Sequence, residues 1–135
     1  MAIPAPFRKI IRSNESDSSS VFVTISDGCL AAYPEASWLE KIQKISTLNQ
    51  LDKNVTAFKR MFIGNAQECN VDKAGRICLP QDLRKYAQID GGCYLVGQLD
   101  KFEIWSQTRW ERELSSLSDQ VTSVCSALAE HGIHL

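Results

Sequence analysis

Short apolar stretches separated by turn residues predict two pairs of short β-strands in this chain. The segments 21–25 and 30–33 are rich in valine, alanine and aromatic residues, and Asp27-Gly28 lies between them. Asp-Gly between two apolar strands is a strong signal for a hairpin turn. The same pattern recurs over 93–105, so two β-hairpins are expected.

Each hairpin is followed by a segment whose apolar residues recur at helical spacing. Ser37–Glu40 and Thr108–Glu111 both fit the capping-box pattern, so we expect the two helices to begin there. A further amphipathic helix is predicted from about Asp52 to Ile63, where it would link the two hairpin units and pack across them. Apolar residues over 121–128 indicate a weaker amphipathic segment near the C-terminus.

The segment before the second hairpin reads as two short extended pieces around a tight loop. The pieces are 69–72 and 76–79, and Gly75 in the loop predicts a left-handed backbone conformation or a bulge. Pro80 ends the second piece and suits the start of a short helix through Tyr86.

Two blocks of sequence occur twice in the same order, which indicates an internal duplication. Residues 3–10 match 79–86 at an offset of 76, and residues 30–33 match 102–105 at an offset of 72. The difference falls in a polar, serine-rich stretch, where a surface loop tolerates insertion. The predicted division of the chain is a first module with its following helix over 1–50, a linking helix over 51–66, a second module with its following helix over 67–117, and a tail over 118–135.

Composition excludes several classes of protein. The chain has 135 residues, is 44% hydrophobic and contains no apolar run long enough to span a membrane, so no membrane partner is expected. Five widely spaced cysteines without a CxxC pair argue against a disulfide framework or a zinc site and favour a cytoplasmic protein. No catalytic triad, carboxylate pair or phosphate-binding loop is evident. We therefore expect no enzymatic activity, no metal, no cofactor and no small-molecule substrate.

The charges are segregated although the net charge is only −1. Seven basic and three acidic residues lie between positions 53 and 85, a local excess of 4 positive charges. Segregation of this kind can produce one basic face on a neutral protein, as a nucleic-acid partner would require. The alternative is an ordinary solvated surface.

The ordered motifs carry a resemblance to a known family. Residues 68–80, followed by Leu95-Val96-Gly97-Gln98 and by Phe102-Glu103-Ile104-Trp105, resemble the MraZ family of bacterial transcriptional regulators. The resemblance covers nearly the whole chain. It implies an α+β fold of two AbrB-like swapped-hairpin β-barrel modules packed with connecting helices. It also implies a ring-shaped homo-oligomer that binds repeated boxes of double-stranded DNA in the promoter of the division and cell-wall gene cluster, and hence a nucleoid-associated protein.

By this resemblance, Asp72 and Arg76 form the functional Asp-x-x-x-Arg pair, with Lys73 beside them. A guanidinium can bridge O6 and N7 of guanine or clamp a phosphate, and a two-stranded ribbon fits the major groove. Lys73 suits a phosphate contact, whereas Asp72 suits orienting Arg76 or closing the turn. The alternative is that the motif is only a turn with an exposed arginine.

The other candidate DNA-binding residues occupy matching places in the two copies, namely Arg8 and Lys9 in the first and Arg84 and Lys85 in the second. A structural salt bridge near the short helix is an equally good reading for the two arginines. For Lys59 and Arg60 a solvated helix face is favoured over phosphate binding.

The first copy departs from the family pattern because its Asp-x-x-x-Arg strand has no counterpart after Met1. We expect that Met1 is an internal methionine and that the native chain begins roughly a dozen residues earlier, because the missing strand would leave a sheet edge unpaired. The DNA upstream of the gene tests this expectation, and a genuine truncation would predict weakened DNA binding. Two other functions stay open: an antitoxin that binds a toxin and its own promoter, and an oligomeric scaffold without DNA activity.

Overall fold

A computed structural model describes residues 20–72 and 74–134, and these residues form five β-strands and five α-helices. The strands are β1 (Ser20–Ile25), β2 (Leu30–Pro34), β3 (Gln67–Asn70), β4 (Cys93–Gly97) and β5 (Phe102–Ser106). The helices are α1 (Glu35–Ser46), α2 (Lys53–Phe62), α3 (Gln81–Ala87), α4 (Gln107–Asp119) and α5 (Val121–Glu130).

The five strands form one antiparallel sheet in the order β3-β1-β2-β5-β4. The predicted α+β class is therefore confirmed. The strands of the described part of the chain do not close into a barrel, since β3 and β4 stand at opposite ends of the order.

The two predicted hairpins are confirmed, and they have the same register. In the first hairpin Ile25 pairs with Leu30, and in the second Gly97 pairs with Phe102. The residue numbers of the second pair exceed those of the first by 72, which is the offset of the sequence repeat. Gly28 adopts the left-handed conformation that the Asp-Gly turn requires, with φ of 78°. Strands β2 and β5 then join the hairpins edge to edge in the middle of the sheet.

Alternating side chains of the sheet point into two separate hydrophobic clusters, one on each face. The first cluster is aliphatic and is built by both hairpins together with α3; it contains Val21, Val23, Ile25, Leu30, Ala32, Cys69, Ile77, Leu79, Leu83, Ala87, Phe102 and Ile104. The second cluster is aromatic and lies where α1 and α2 cover the first hairpin; it contains Ala31, Tyr33, Trp38, Ile45 and Phe62.

The capping-box predictions were wrong, because both helices begin directly at the end of a strand. Helix α1 follows Pro34, whose φ of −57° already suits a helix start, and no side chain caps it. Helix α4 follows Ser106, whose hydroxyl accepts a hydrogen bond from the backbone N–H of Arg109 at 3.2 Å. A cap therefore exists at α4, but it lies two residues before the predicted one.

The other helices lie where they were predicted, but α2 covers the first hairpin, whereas it was predicted to pack across both hairpin units. Helix α2 is capped by Asp52, whose carboxylate accepts from the backbone N–H of Asn54 at 2.8 Å. Helix α3 begins after Pro80, as predicted. Helices α4 and α5 contain no buried residue. Within the described ranges, no helix combines the length and the apolar character needed to cross a membrane.

Candidate nucleic-acid interface

The Asp-x-x-x-Arg motif forms a tight loop that is anchored at both ends. Val71 and Ile77 face each other as an isolated antiparallel bridge, and both pack against the aliphatic cluster. The chain between them must therefore reverse direction within five residues. The predicted pair of extended pieces is confirmed in this short form.

Asp72 closes the loop with its backbone and with its side chain. Its backbone N–H donates to the carbonyl of Arg76 at 2.9 Å, and its own carbonyl accepts from the N–H of Gly75 at the same distance. Its carboxylate accepts from the backbone N–H of Arg76 at 2.8 Å. Two of these hydrogen bonds join residue 76 to Asp72, and the third closes the turn between Asp72 and Gly75.

The side chain of Arg76 is exposed and carries one ion pair. Its Nε atom lies 3.3 Å from the second carboxylate oxygen of Asp72, and 65% of the side chain is accessible to solvent. A single exposed ion pair contributes little to stability, so it does not explain the arrangement by itself. It does restrict where the guanidinium can lie.

The hydrogen bonds to Asp72 change its acidity. The backbone N–H of Arg76 is the main cause that lowers the pKa of the Asp72 carboxyl below its ordinary value, and the positive charge of Arg76 acts in the same direction. Because the folded-state pKa is below that of the unfolded chain, this interaction is present above the unfolded pKa and is lost as the pH falls through the folded value.

A carboxyl titration followed by NMR is expected to show this effect. In the wild type, Asp72 should titrate below the ordinary aspartate range. In Arg76→Ala the pKa should rise only part of the way, since the backbone amides of residues 76 and 74 still donate to the carboxylate. An ordinary pKa in the wild type would contradict the closed loop.

Gly75 is required by the backbone of this loop. Its φ is 75°, a conformation that side-chain-bearing residues adopt only with strain. Gly75→Ala is expected to lower the free energy of unfolding by about 1 kcal/mol or more. The control is Gly92→Ala, where an added Cβ would meet nothing closer than Oε1 of Gln107 at 3.9 Å. Equal urea midpoints for the two variants would argue against the strain.

Arg84 and Lys85 lie in the last turn of α3 and are exposed. The opposite side of this helix is fixed to the protein, because Leu83 and Ala87 are buried in the aliphatic cluster. The described residues provide no ion pair for either basic side chain. The predicted structural salt bridge of Arg84 is therefore not formed within them.

The structure brings Asp72 and Arg76 together and leaves Arg84 and Lys85 on a separate element. No hydrogen bond or ion pair between described residues joins the two sets. Arg8, Lys9 and Lys73 lie outside the described residues. Lys59 and Arg60 lie in the last turn of α2, where Lys59 is partly buried and Arg60 is exposed.

Sequence reasoning did not single out a groove beside the second hairpin. The groove has a volume of about 620 Å³, and Trp105, Trp110, Arg109 and Glu113 contribute to its lining. The repeat gave no signal for it, because Trp110 matches Trp38 in sequence although Trp38 is buried and Trp110 is only partly buried. In the described part of the chain, no three histidine, cysteine or acidic side chains are close enough to share a metal ion.

Comparison with known proteins identifies the class of this one. The model of a family described as "MraZ protein, putative antitoxin-like" matches residues 62–125. A transcriptional regulator MraZ from Desulforapulum autotrophicum is 40% identical over 133 residues, which is 97% of this chain and 88% of that protein. The regulator of the same name from Shewanella amazonensis is 37% identical over 123 residues, or 91% of this chain and 81% of its own.

These relatives are all named transcriptional regulators, which is a non-enzymatic role. A third, from Pediococcus pentosaceus, is 34% identical over 98% of this chain and 90% of its own length. The chain belongs to the MraZ family, and its class is that of a transcriptional regulator.

Proposed function

We propose that this protein binds double-stranded DNA sequence-specifically and does so through Arg76. The observation that carries the proposal is the exposed guanidinium on a loop closed by Asp72. A recognition residue needs an accessible head group and a restricted position, because both reduce the cost of ordering it on binding. Arg76 meets the two conditions.

The chemistry of the pair fits recognition of a base or of a phosphate. Asp72 contacts the guanidinium through Nε, which leaves the two terminal nitrogens to donate elsewhere. Two parallel N–H groups match O6 and N7 of guanine, or two oxygens of a phosphate. In this proposal Asp72 is a positioning residue and does not contact DNA.

The remaining basic candidates would supply contacts to the DNA backbone. Arg84 and Lys85 are exposed and unpaired within the described residues, and we assign them to phosphate together with Lys73, Arg8 and Lys9. Such contacts set the register on the duplex without reading its sequence.

We further propose that the chain is a duplicated unit of two AbrB-like swapped-hairpin modules, divided at 1–50, 51–66, 67–117 and 118–135. The pairing of β2 with β5 supports this, since it is centred on Ala31 and Glu103, residues that match at the offset of 72. Leu30 then pairs with Ile104 and Ala32 with Phe102, as a two-fold relation between copies would produce. The pairing of β3 with β1 in the other half supports a swapped arrangement.

The proposed biological target is the promoter of the division and cell-wall gene cluster, bound in the cytoplasm at the nucleoid. A ring-shaped homo-oligomer would place several Arg76 loops against repeated boxes. Weak single contacts on correctly spaced sites reinforce each other strongly.

A mobility shift with the DNA that precedes the protein's own gene tests the proposal. The wild type should shift this DNA at concentrations where scrambled DNA of the same length stays free, and binding should weaken steeply as salt increases. Loss of the shift in Arg76→Ala supports the assignment. An unchanged shift in that variant would remove Arg76 from the interface.

An antitoxin is the second candidate, because the matching family is described as antitoxin-like. A small protein that co-purifies in a fixed ratio would favour this function. An oligomer that binds neither DNA nor such a protein would instead indicate a scaffold.

A further inference from the structure

The two hairpins carry matching aromatic faces, and the first of them is covered. Phe22, Tyr33 and Trp38 form this first face, with ring centroids 5.4 Å apart for Phe22 and Trp38 and 5.7 Å apart for Tyr33 and Trp38. Phe62 of α2 packs on top, 5.3 Å from Trp38 and 5.7 Å from Tyr33. Ile45 completes the cluster and is only 4% exposed.

The second face has the same construction but no such cover. Tyr94 and Trp110 are 6.4 Å apart, and Trp105 and Trp110 are 5.6 Å apart. No further aromatic ring of the described residues stacks on this face, and the groove of about 620 Å³ opens beside it. Leu117, which matches Ile45 at the offset of 72, is 39% exposed.

Helix α5 does not replace α2 on this face. It follows α4 as α2 follows α1, yet it contains no aromatic residue and no buried one. We define the acceptor face as Tyr94, Trp110, Leu114 and Leu117, which are partly exposed; Trp105, which packs against Trp110, is itself only 7% exposed. An exposed apolar surface of this kind next to a groove marks an interaction site.

The chain also presents an apolar projection that has no role within one subunit. The connection between α1 and α2 exposes Leu48 and Leu51, and Leu51 is 92% accessible. We define the donor corner as Leu48, Leu51 and Lys53. No residue of 35–62 lines the groove within a single chain.

We propose that the acceptor face binds the donor corner of a second copy of this chain. Charge complementarity favours this occupant. Helix α2 carries three basic residues and no acidic one (Lys53, Lys59 and Arg60), whereas α4 has three acidic residues against two basic ones (Glu111, Glu113 and Asp119 against Arg109 and Arg112). Leu51 would enter the groove, and the basic helix would lie along the acidic one.

The proposed contact joins two different surfaces, so each pair of chains keeps one free donor corner and one free acceptor face. Further copies add in the same direction and form a ring if the rotation closes. The inference rests on the proposed homo-oligomer and assigns its interface. It does not involve the Asp72–Arg76 loop, which belongs to neither surface.

Two variants that each disable one surface test the proposal. Leu51→Glu places a negative charge in the apolar donor corner. Leu117→Glu places a charge of the same sign on the acceptor face, so the two altered surfaces repel each other. By light scattering after gel filtration, each variant alone should have the mass of one chain, 15.1 kDa, where the wild type is larger. Mixed together, they should form one-to-one dimers of twice that mass and nothing larger, because one intact donor corner meets one intact acceptor face.

The controls separate this interface from folding and from DNA binding. Ile133→Glu is matched in exposure to Leu114→Glu, a second acceptor variant, and should leave the oligomer intact. Circular dichroism must show native helix content in every variant. An oligomer that survives Leu51→Glu, or a mixture that stays monomeric, overturns the proposal. A monomeric wild type would also overturn the proposed interface. It would leave the proposed DNA binding untouched, because that is tested separately by the loss of binding in Arg76→Ala.

Discussion

Arg76→Ala is expected to lower the affinity for the promoter DNA by about 100-fold or more. A bidentate arginine–base contact discriminates by about 1–3 kcal/mol, so loss of two such contacts in an oligomer removes roughly 2–6 kcal/mol, a range that includes the value of about 2.7 kcal/mol for a 100-fold change. The loop itself should survive, because the amide of residue 76 still donates to Asp72. Fluorescence anisotropy with labelled promoter DNA measures the change.

Arg84→Ala is the matched control for this prediction. Arg84 is also exposed, but it lies on α3 and is assigned to a phosphate contact. Its loss should therefore weaken binding to promoter DNA and to scrambled DNA by about the same factor, and this factor should be smaller than that for Arg76→Ala on promoter DNA. The salt dependence of binding should also decrease. If Arg84→Ala abolished specificity and Arg76→Ala did not, the roles proposed for the two arginines would be reversed.

Phe62→Ala is expected to lower the free energy of unfolding by about 3 to 5 kcal/mol, as truncation of buried phenylalanines does. The ring of Phe62 contacts Tyr33, Trp38 and Phe58, so its removal leaves a cavity in the aromatic cluster. The carbonyl of Phe62, which accepts from the hydroxyl of Thr24, is kept in the variant. Urea unfolding measures the loss.

The control for this prediction is Ile133→Ala, which removes a half-exposed side chain outside both proposed contact surfaces and should change the stability by less than about 0.5 kcal/mol. A loss of under about 1 kcal/mol for Phe62→Ala would mean that α2 does not hold the first hairpin.

Local signals predicted the elements of this fold well. The Asp27-Gly28 turn, the positive φ of Gly75 and the helix after Pro80 each depend on a few neighbouring residues, and all three are present. The start of α1 was missed because Pro34 permits a helix immediately after the strand. The capping-box pattern at Ser37 described residues that were already helical.

Contacts between residues distant in the chain were harder to predict from the sequence. The motif indicated Asp72 and Arg76 as a pair, but only the structure shows that two hydrogen bonds involving the backbone of residue 76 join them. The uncovered face at Trp110 could not be predicted from periodicity, since Trp38 and Trp110 occupy matching positions in sequence. Their environments differ because Phe62 packs on one of them, and that contact joins residues distant in the chain.

Photo-cross-linking from the Asp72–Arg76 loop tests the central claim most directly. A photoreactive phenylalanine at Ala74 keeps Arg76 and places the probe two residues from it, and the same probe at the exposed Leu99 serves as the control. With promoter DNA bound, the probe at position 74 should cross-link to the repeated boxes, and the probe at position 99 should not. If the protein shifts the DNA in a mobility assay but the probe at position 74 forms no cross-link to that DNA, the claim that this loop contacts DNA is contradicted.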